Sequence, residues 1–352
     1  MKEAQLYTRL ENRGVHCQLC AHNCKIPESK FGFCGVRQNI SGILYAHNYA
    51  KLVAANVDPV EKKPLYHFLP GTLTFSIASA GCNFRCGFCQ NWEISQFDPR
   101  SFMLAGTSLE KRSGGLDFIN QYPGEDFSAD KVVKLAQQFN CRSIAYTYTE
   151  PTIYFEFALE TAKLAKEAGL RNIFVTNGYL SREAISLLAP YLDAVNIDLK
   201  FFKESSYQRI CSAKLGPVLD SIQLLNAGGI WIEITTLIIP GQNDTPEELT
   251  AMAKFIAAIN KDIPWHLSRF HADYKFKDYA PTPERTLKLA YDLGISQGLH
   301  YVYVGNFGAW GQDTLCGSCQ KLLIKREGFQ ILESHLAKNS CVFCQTILPG
   351  VF

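Results

Sequence analysis

The chain has 352 residues, 47% of them hydrophobic, enough to bury a large core, and its formal net charge is only +2. Bulk electrostatics therefore point to no membrane surface and no clear nucleic-acid partner. The N-terminus is charged without an apolar signal region, and no apolar run approaches the roughly 20 residues of a membrane helix, so a cytoplasmic setting is expected. Thirteen cysteines in a reducing setting argue for metal ligation, not disulfides. Four fall in 17–34, three in 82–89 and four in 316–344. Cys141 and Cys211 stand apart and read as small buried apolar residues.

In chain order, the pattern Cys17-x2-Cys20-x3-Cys24-x9-Cys34 comes first. Four thiols there could hold zinc or a 4Fe–4S cluster, and His16 and His22 are alternative zinc ligands. A redox-silent zinc staple is the preferred reading. The segment, 1–57, is too short for much core of its own, and Pro27 and Gly32 look like turns between ligands.

A strand-like run, Thr72 to Ala78, then leads into Gly81-Cys82-Asn83-Phe84-Arg85-Cys86-Gly87-Phe88-Cys89-Gln90. The C-x3-C-x2-C loop can wrap three thiolates around one point and hold three corners of a 4Fe–4S cube. The next cysteine is Cys141, so one iron is left open. A reactive site needs such a position and a structural site avoids it. Residues 97–128 are polar, Gly-rich and aperiodic, and read as a long loop, either beside the active face or a plain surface insertion.

From about 70 to 305, short apolar runs alternate with amphipathic stretches. The expected strands are Thr72–Ala78, Ser143–Thr147, Asn172–Thr176, Ala194–Asp198, Ile230–Leu237, Trp265–Phe270 and His300–Val304. Helical patterns cover 129–139, 156–170 and 246–260, the last opening on Asp244-Thr245-Pro246, a capping residue and then proline. This alternation predicts an α/β fold with a parallel sheet and right-handed crossovers, a partial or full (β/α) barrel. Loops after the strands form the active face of such a barrel. Tyr148-Thr149-Glu150-Pro151, Thr176-Asn177-Gly178, Asp198-Leu199-Lys200 and His271 all stand at or just past strand ends. Alternation puts Asp198 and Lys200 on one side. A turn, a helix cap or a structural ion pair would each account for some of these residues alone. The chain closes on Cys316-x2-Cys319 and Cys341-x2-Cys344, paired knuckles that predict a four-thiolate zinc ribbon over 310–352. Gln320 and Gln345 follow the two knuckles.

The cysteine triplet, with the aromatic Phe88 before its last member, resembles the signature of the radical S-adenosylmethionine (SAM) superfamily. The blocks from Asp58 to Phe68, GCNFRCGFCQNWEISQ, AYTYTEPTIYFEF, VTNGYL, NIDLKFF, PWHLSRFH and YVYVGN extend the likeness over nearly the whole chain. They are similar to the branch of pyruvate formate-lyase activating enzyme, and more closely to the radical SAM member of the "AmmeMemoRadiSam" set. The resemblance implies a radical SAM barrel over 58–309 and an enzyme with 4Fe–4S, SAM and zinc as cofactors. Reductive cleavage of SAM would yield a 5′-deoxyadenosyl radical that abstracts hydrogen from a protein or small-molecule substrate, with flavodoxin or ferredoxin as reductant. It assigns the catalytic cluster to Cys82, Cys86 and Cys89, and cofactor contacts to Phe88, Thr149, Glu150, Thr176, Asn177, Asp198, Lys200 and His271. Glu150 would accept from the SAM ammonium. Tyr148 and Thr149 replace the family's two glycines before that glutamate. Two further readings stay open: a glycyl-radical enzyme activase, and a non-catalytic metal-stapled module that binds RNA or protein.

Overall fold

Short β-branched runs fold as strands here, and the amphipathic stretches between them fold as helices. In a computed structural model that describes residues 1–97, 122–308 and 310–352, they divide between two units. The first comprises Met1–Val57, Phe75–Arg85 and Cys89–Leu192, and the second Asp58–Thr74, Cys86–Phe88 and Asp193–Phe352.

The first unit holds most of β1 (Leu73–Ala78), with α1 (Ala129–Gln138), β2 (Ser143–Tyr146), α2 (Phe155–Glu167), β3 (Arg171–Thr176) and α3 (Arg182–Leu188). β2 and β3 are parallel, with Ser143 opposite Arg171 and Tyr146 opposite Phe174. The Thr147 amide continues onto the Ile77 carbonyl of β1 at 3.0 Å. The helices start where their caps dictate: the Ser128 hydroxyl accepts from the Lys131 amide, and the Ser181 hydroxyl from the Ala184 amide, both at 3.1 Å. α1 buries Ala129, Val132, Val133 and Ala136, the 3–4 spacing of one helix face. The N-terminal 57 residues form small antiparallel sheets. Arg37 ties them to α2 through a 2.6 Å ion pair with Glu156, both side chains 2% exposed.

The second unit holds β4 (Ala194–Asp198), α4 (Leu215–Ala227), β5 (Trp231–Ile238), α5 (Pro246–Ile259), β6 (Trp265–Arg269), α6 (Glu284–Ser296) and β7 (Val302–Gly305). β4 to β7 pair in that order, all parallel. α5 begins as expected, with Pro246 in the first turn and the Thr245 hydroxyl accepting from the Glu248 amide at 3.3 Å. Buried Glu233 on β5 lies 2.6 Å from His266 Nε2 and also accepts from the Tyr66 and His67 amides. The C-terminal segment forms a three-stranded antiparallel sheet and a short hairpin. Its Leu323, Ile324 and Leu348 pack with Tyr66, Tyr301 and Tyr303. Arg326 stacks over the Tyr66 ring at 4.2 Å and donates to Thr314 Oγ1 at 2.7 Å.

Each expected strand forms within one or two residues of its predicted limits. The helix expected over 156–170 is preceded by a 3₁₀ turn, Pro151–Tyr154. Of the loop expected over 97–128, residues 98–121 lie outside the described residues. Glu125–Asp126 pairs antiparallel with Lys51–Leu52. Among the described residues no helix is long and apolar enough to cross a membrane.

Candidate functional site

The first unit gathers its predicted polar residues around Glu150, which is 2% exposed. Glu150 caps the 3₁₀ turn. Its Oε1 accepts from the Thr152 amide (3.1 Å), the Thr152 hydroxyl (2.5 Å) and the Thr176 hydroxyl (2.7 Å). Its Oε2 accepts from the Asn177 amide at 2.8 Å. Burial pushes the Glu150 carboxyl up, and these four donors pull it back towards the ionised form. A carboxylate oxygen offers about two lone-pair sites, so Oε2 keeps capacity for one more donor. Tyr148 sits at φ 62°, the left-handed conformation that glycine adopts freely and that a tyrosine holds at about 1 kcal/mol. The Thr149 hydroxyl donates to the Ser79 carbonyl at 2.7 Å, just past β1.

Asn83, inside the cysteine loop, joins this group. Asn177 Nδ2 donates to Asn83 Oδ1 at 2.7 Å, and His22 Nε2 donates to the Asn83 carbonyl at 2.6 Å. Neither link was visible in the sequence. The loop enters through Gly81, at φ 103°, where a Cβ would stand 2.6 Å from Val36 Cγ1. Only glycine allows that approach. Within this unit, Cys82 Sγ accepts from the Phe84 amide at 3.3 Å, and Cys89 Sγ lies 3.0 Å from Ser95 Oγ.

In the second unit, Cys86 and Phe88 pack with the end of β4. Lys200 Nζ donates to Asp198 Oδ2 at 2.8 Å, as strand alternation predicted, and lies 5.6 Å from the Phe88 ring centre. Cys86 Sγ is 3.6 Å from Cys211 Sγ. The Cys211 thiol and then burial push the Cys86 thiol well up. Cys211 is buried, as expected of it, but it is also the neighbour of a candidate ligand. His271 is exposed past the end of β6, which sets it apart from these buried residues. His266 is spent on Glu233.

Two further cysteine groups form. The C-terminal sulfurs of Cys316, Cys319, Cys341 and Cys344 all lie within 4.8 Å of one another, with 3.6 Å from Cys316 to Cys344 and 3.8 Å from Cys319 to Cys341. Tetrahedral zinc with bonds of about 2.3 Å would set its sulfurs about 3.8 Å apart, so this set fits one metal ion. Both residues after the knuckles, Gln320 and Gln345, have left-handed φ, 58° and 64°. The glutamines therefore take the turn that glycine usually makes. Cys17, Cys20, Cys24 and Cys34 line one cavity with His22 and Arg37.

The sequence profile of the Radical SAM superfamily matches residues 76–256. An uncharacterised protein of Methanocaldococcus jannaschii is 41% identical over 98% of both chains. The pyruvate formate-lyase-activating enzyme of Clostridium pasteurianum is 22% identical, over 56% of this chain and 80% of that one. A domain of the pyruvate-formate lyase-activating enzyme of Bacteroides vulgatus superposes with a TM-score of 0.42 at 18% identity, covering 47% of this chain and 99% of that domain. With the family's cysteine triplet at the end of β1 and the Glu150 group at the ends of β2 and β3, the chain belongs to the radical SAM superfamily.

Proposed function

We propose that Cys82, Cys86 and Cys89 hold the 4Fe–4S cluster of this radical SAM enzyme and that SAM completes it. The observation that carries the reading is the bond from Asn177 to Asn83, which ties the cysteine loop to the Glu150 group expected to bind SAM. When bound, these cofactors supply the family's chemistry, a one-electron reductive cleavage that yields a hydrogen-abstracting 5′-deoxyadenosyl radical. The chain's own residues bind and orient. Oε2 of Glu150 would accept a hydrogen bond from one N–H of the SAM ammonium, a charge-assisted bond, with the carboxylate held in place by Thr152, Thr176 and Asn177. Thr149, Thr176 and Asn177 line the methionine and ribose side. Phe88, Asp198 and Lys200 would be further cofactor contacts, with Lys200 5.6 Å from the Phe88 ring centre and 2.8 Å from Asp198. His271, exposed past the end of β6, would be a further cofactor contact.

The C-terminal knuckles hold zinc, and the chain is organised as a Cys-rich segment (1–57), a barrel (58–309) and a ribbon (310–352). An electron donor of flavodoxin or ferredoxin type supplies the reductant in a cytoplasmic setting. The substrate is a protein or a small molecule. A glycyl-radical activase is the second reading, favoured by the activating-enzyme relatives. Anaerobic reconstitution followed by dithionite and SAM tests the class: release of 5′-deoxyadenosine supports it. A reconstituted chain that binds no SAM and cleaves none would point to the non-catalytic module.

A further inference from the structure

The four N-terminal thiols are arranged unlike the C-terminal four. Among the described residues, only the C-terminal set brings three or more metal-type ligand atoms within 4.8 Å of one another. Cys17, Cys20, Cys24 and Cys34 are spread more widely, yet they face a common cavity. Around a single zinc, bonds of about 2.3 Å hold sulfurs about 3.8 Å apart. Around an iron–sulfur cube each thiolate binds its own iron at a separate corner, so the sulfurs must spread.

The alternative zinc ligands do not complete a tighter set. His22 Nε2 is used on the Asn83 carbonyl at 2.6 Å. His16 follows Val15 and precedes Cys17 on one strand, so it takes the opposite face.

The cavity wall carries a second, independent sign. Arg37 is 1% exposed. Its Nη2 donates to Glu156 at 2.6 Å, but its Nε and Nη1 are buried without a partner. A buried charged donor left unmade is costly. Arginine is cationic throughout the accessible pH range. Arg37 lines the cavity with two guanidinium nitrogens still unpartnered. The occupant should be anionic and offer acceptor atoms of its own. A thiolate-bound cube carries net negative charge and bare sulfides. A zinc ion wrapped in four thiolates needs neither this width nor these donors.

We propose that Cys17, Cys20, Cys24 and Cys34 hold a second 4Fe–4S cluster, with Arg37 donating to it from the buried wall. This replaces the zinc staple preferred from sequence. It does not depend on the role of Cys82, Cys86 and Cys89, and the test keeps the two apart. The full chain carrying Cys82→Ala, Cys86→Ala and Cys89→Ala together is reconstituted anaerobically with iron and sulfide. It should retain about four irons with matching sulfide and give one paramagnetic signal on reduction. Two zinc ions per chain without iron, or no metal beyond the C-terminal zinc, overturns the proposal. Should that variant fail to fold, the unaltered chain decides: about eight irons support the second cluster, and about four irons with two zinc ions refute it. Arg37→Lys keeps the charge but loses the fork of donors. It should move the midpoint potential of the N-terminal cluster to more negative values, and an unmoved potential removes Arg37 from the site.

Discussion

Thr176→Val offers a near-isosteric probe of the Glu150 group. The change removes one hydroxyl from a side chain that is 2% exposed. That hydroxyl donates to Glu150 Oε1 at 2.7 Å and accepts from the Gly178 amide at 3.1 Å. No cavity opens, so the loss is one of hydrogen bonds. A bond to a charged group contributes about 1.5–3 kcal/mol, and an orphaned buried amide costs about 1–3 kcal/mol, so a combined loss of about 2.5–6 kcal/mol is expected. Thr176→Ser, which keeps the hydroxyl, serves as the control. Urea unfolding of both variants under anaerobic conditions should show a lower midpoint for the valine form at unchanged slope. Because Glu150 would also be less well held, SAM affinity in the reconstituted valine form should fall about tenfold or more. Equal midpoints and equal SAM affinities for the serine and valine forms would refute the view that Thr176 organises this site.

Three further outcomes are expected. Cys316→Ser should reduce zinc in the purified chain from about one per molecule to near zero, and iron at that site, or no metal before the change, would contradict the ribbon. Burial pulls the His67 imidazole down to about 4, so the unfolded chain, with its His near 6.5, binds the extra proton between those values. The stability that neutral His67 provides is present above pH 6.5 and is lost as pH falls towards 4, a loss of about 3 kcal/mol. Urea midpoints taken between pH 7 and 4.5 should flatten in His67→Gln, and an unaltered slope would assign the acid sensitivity elsewhere. Cys211→Ser should keep full iron content and SAM cleavage, since Cys211 is the neighbour of Cys86 and not a ligand; loss of the cluster would make it one.

Local chemistry was legible in the sequence. Thr245 caps its helix because a hydroxyl before proline and an apolar stripe satisfies amides wherever the helix ends up. The Asp198–Lys200 pair followed from strand alternation alone. Glu150 was picked by resemblance, and its cap on Thr152 was foreseeable from the following proline. What sequence could not show depends on chain segments far apart. Cys211 meets Cys86 across 125 positions, and Arg37 meets Glu156 across 119. Asn83 read as filler between cysteines until its bonds to His22 and Asn177 appeared. The N-terminal thiols are the sharpest case. Four cysteines at such spacings suit either zinc or a cluster, and the choice lies in the distance between sulfurs, which only tertiary structure sets.

The central claim is that Cys82, Cys86 and Cys89 carry the chemistry. Its most direct test is 5′-deoxyadenosine released from SAM by the dithionite-reduced, reconstituted chain, compared with Cys86→Ala. The account predicts release by the unaltered chain and none by the variant, whose fold is otherwise kept. Undiminished release by Cys86→Ala would contradict it.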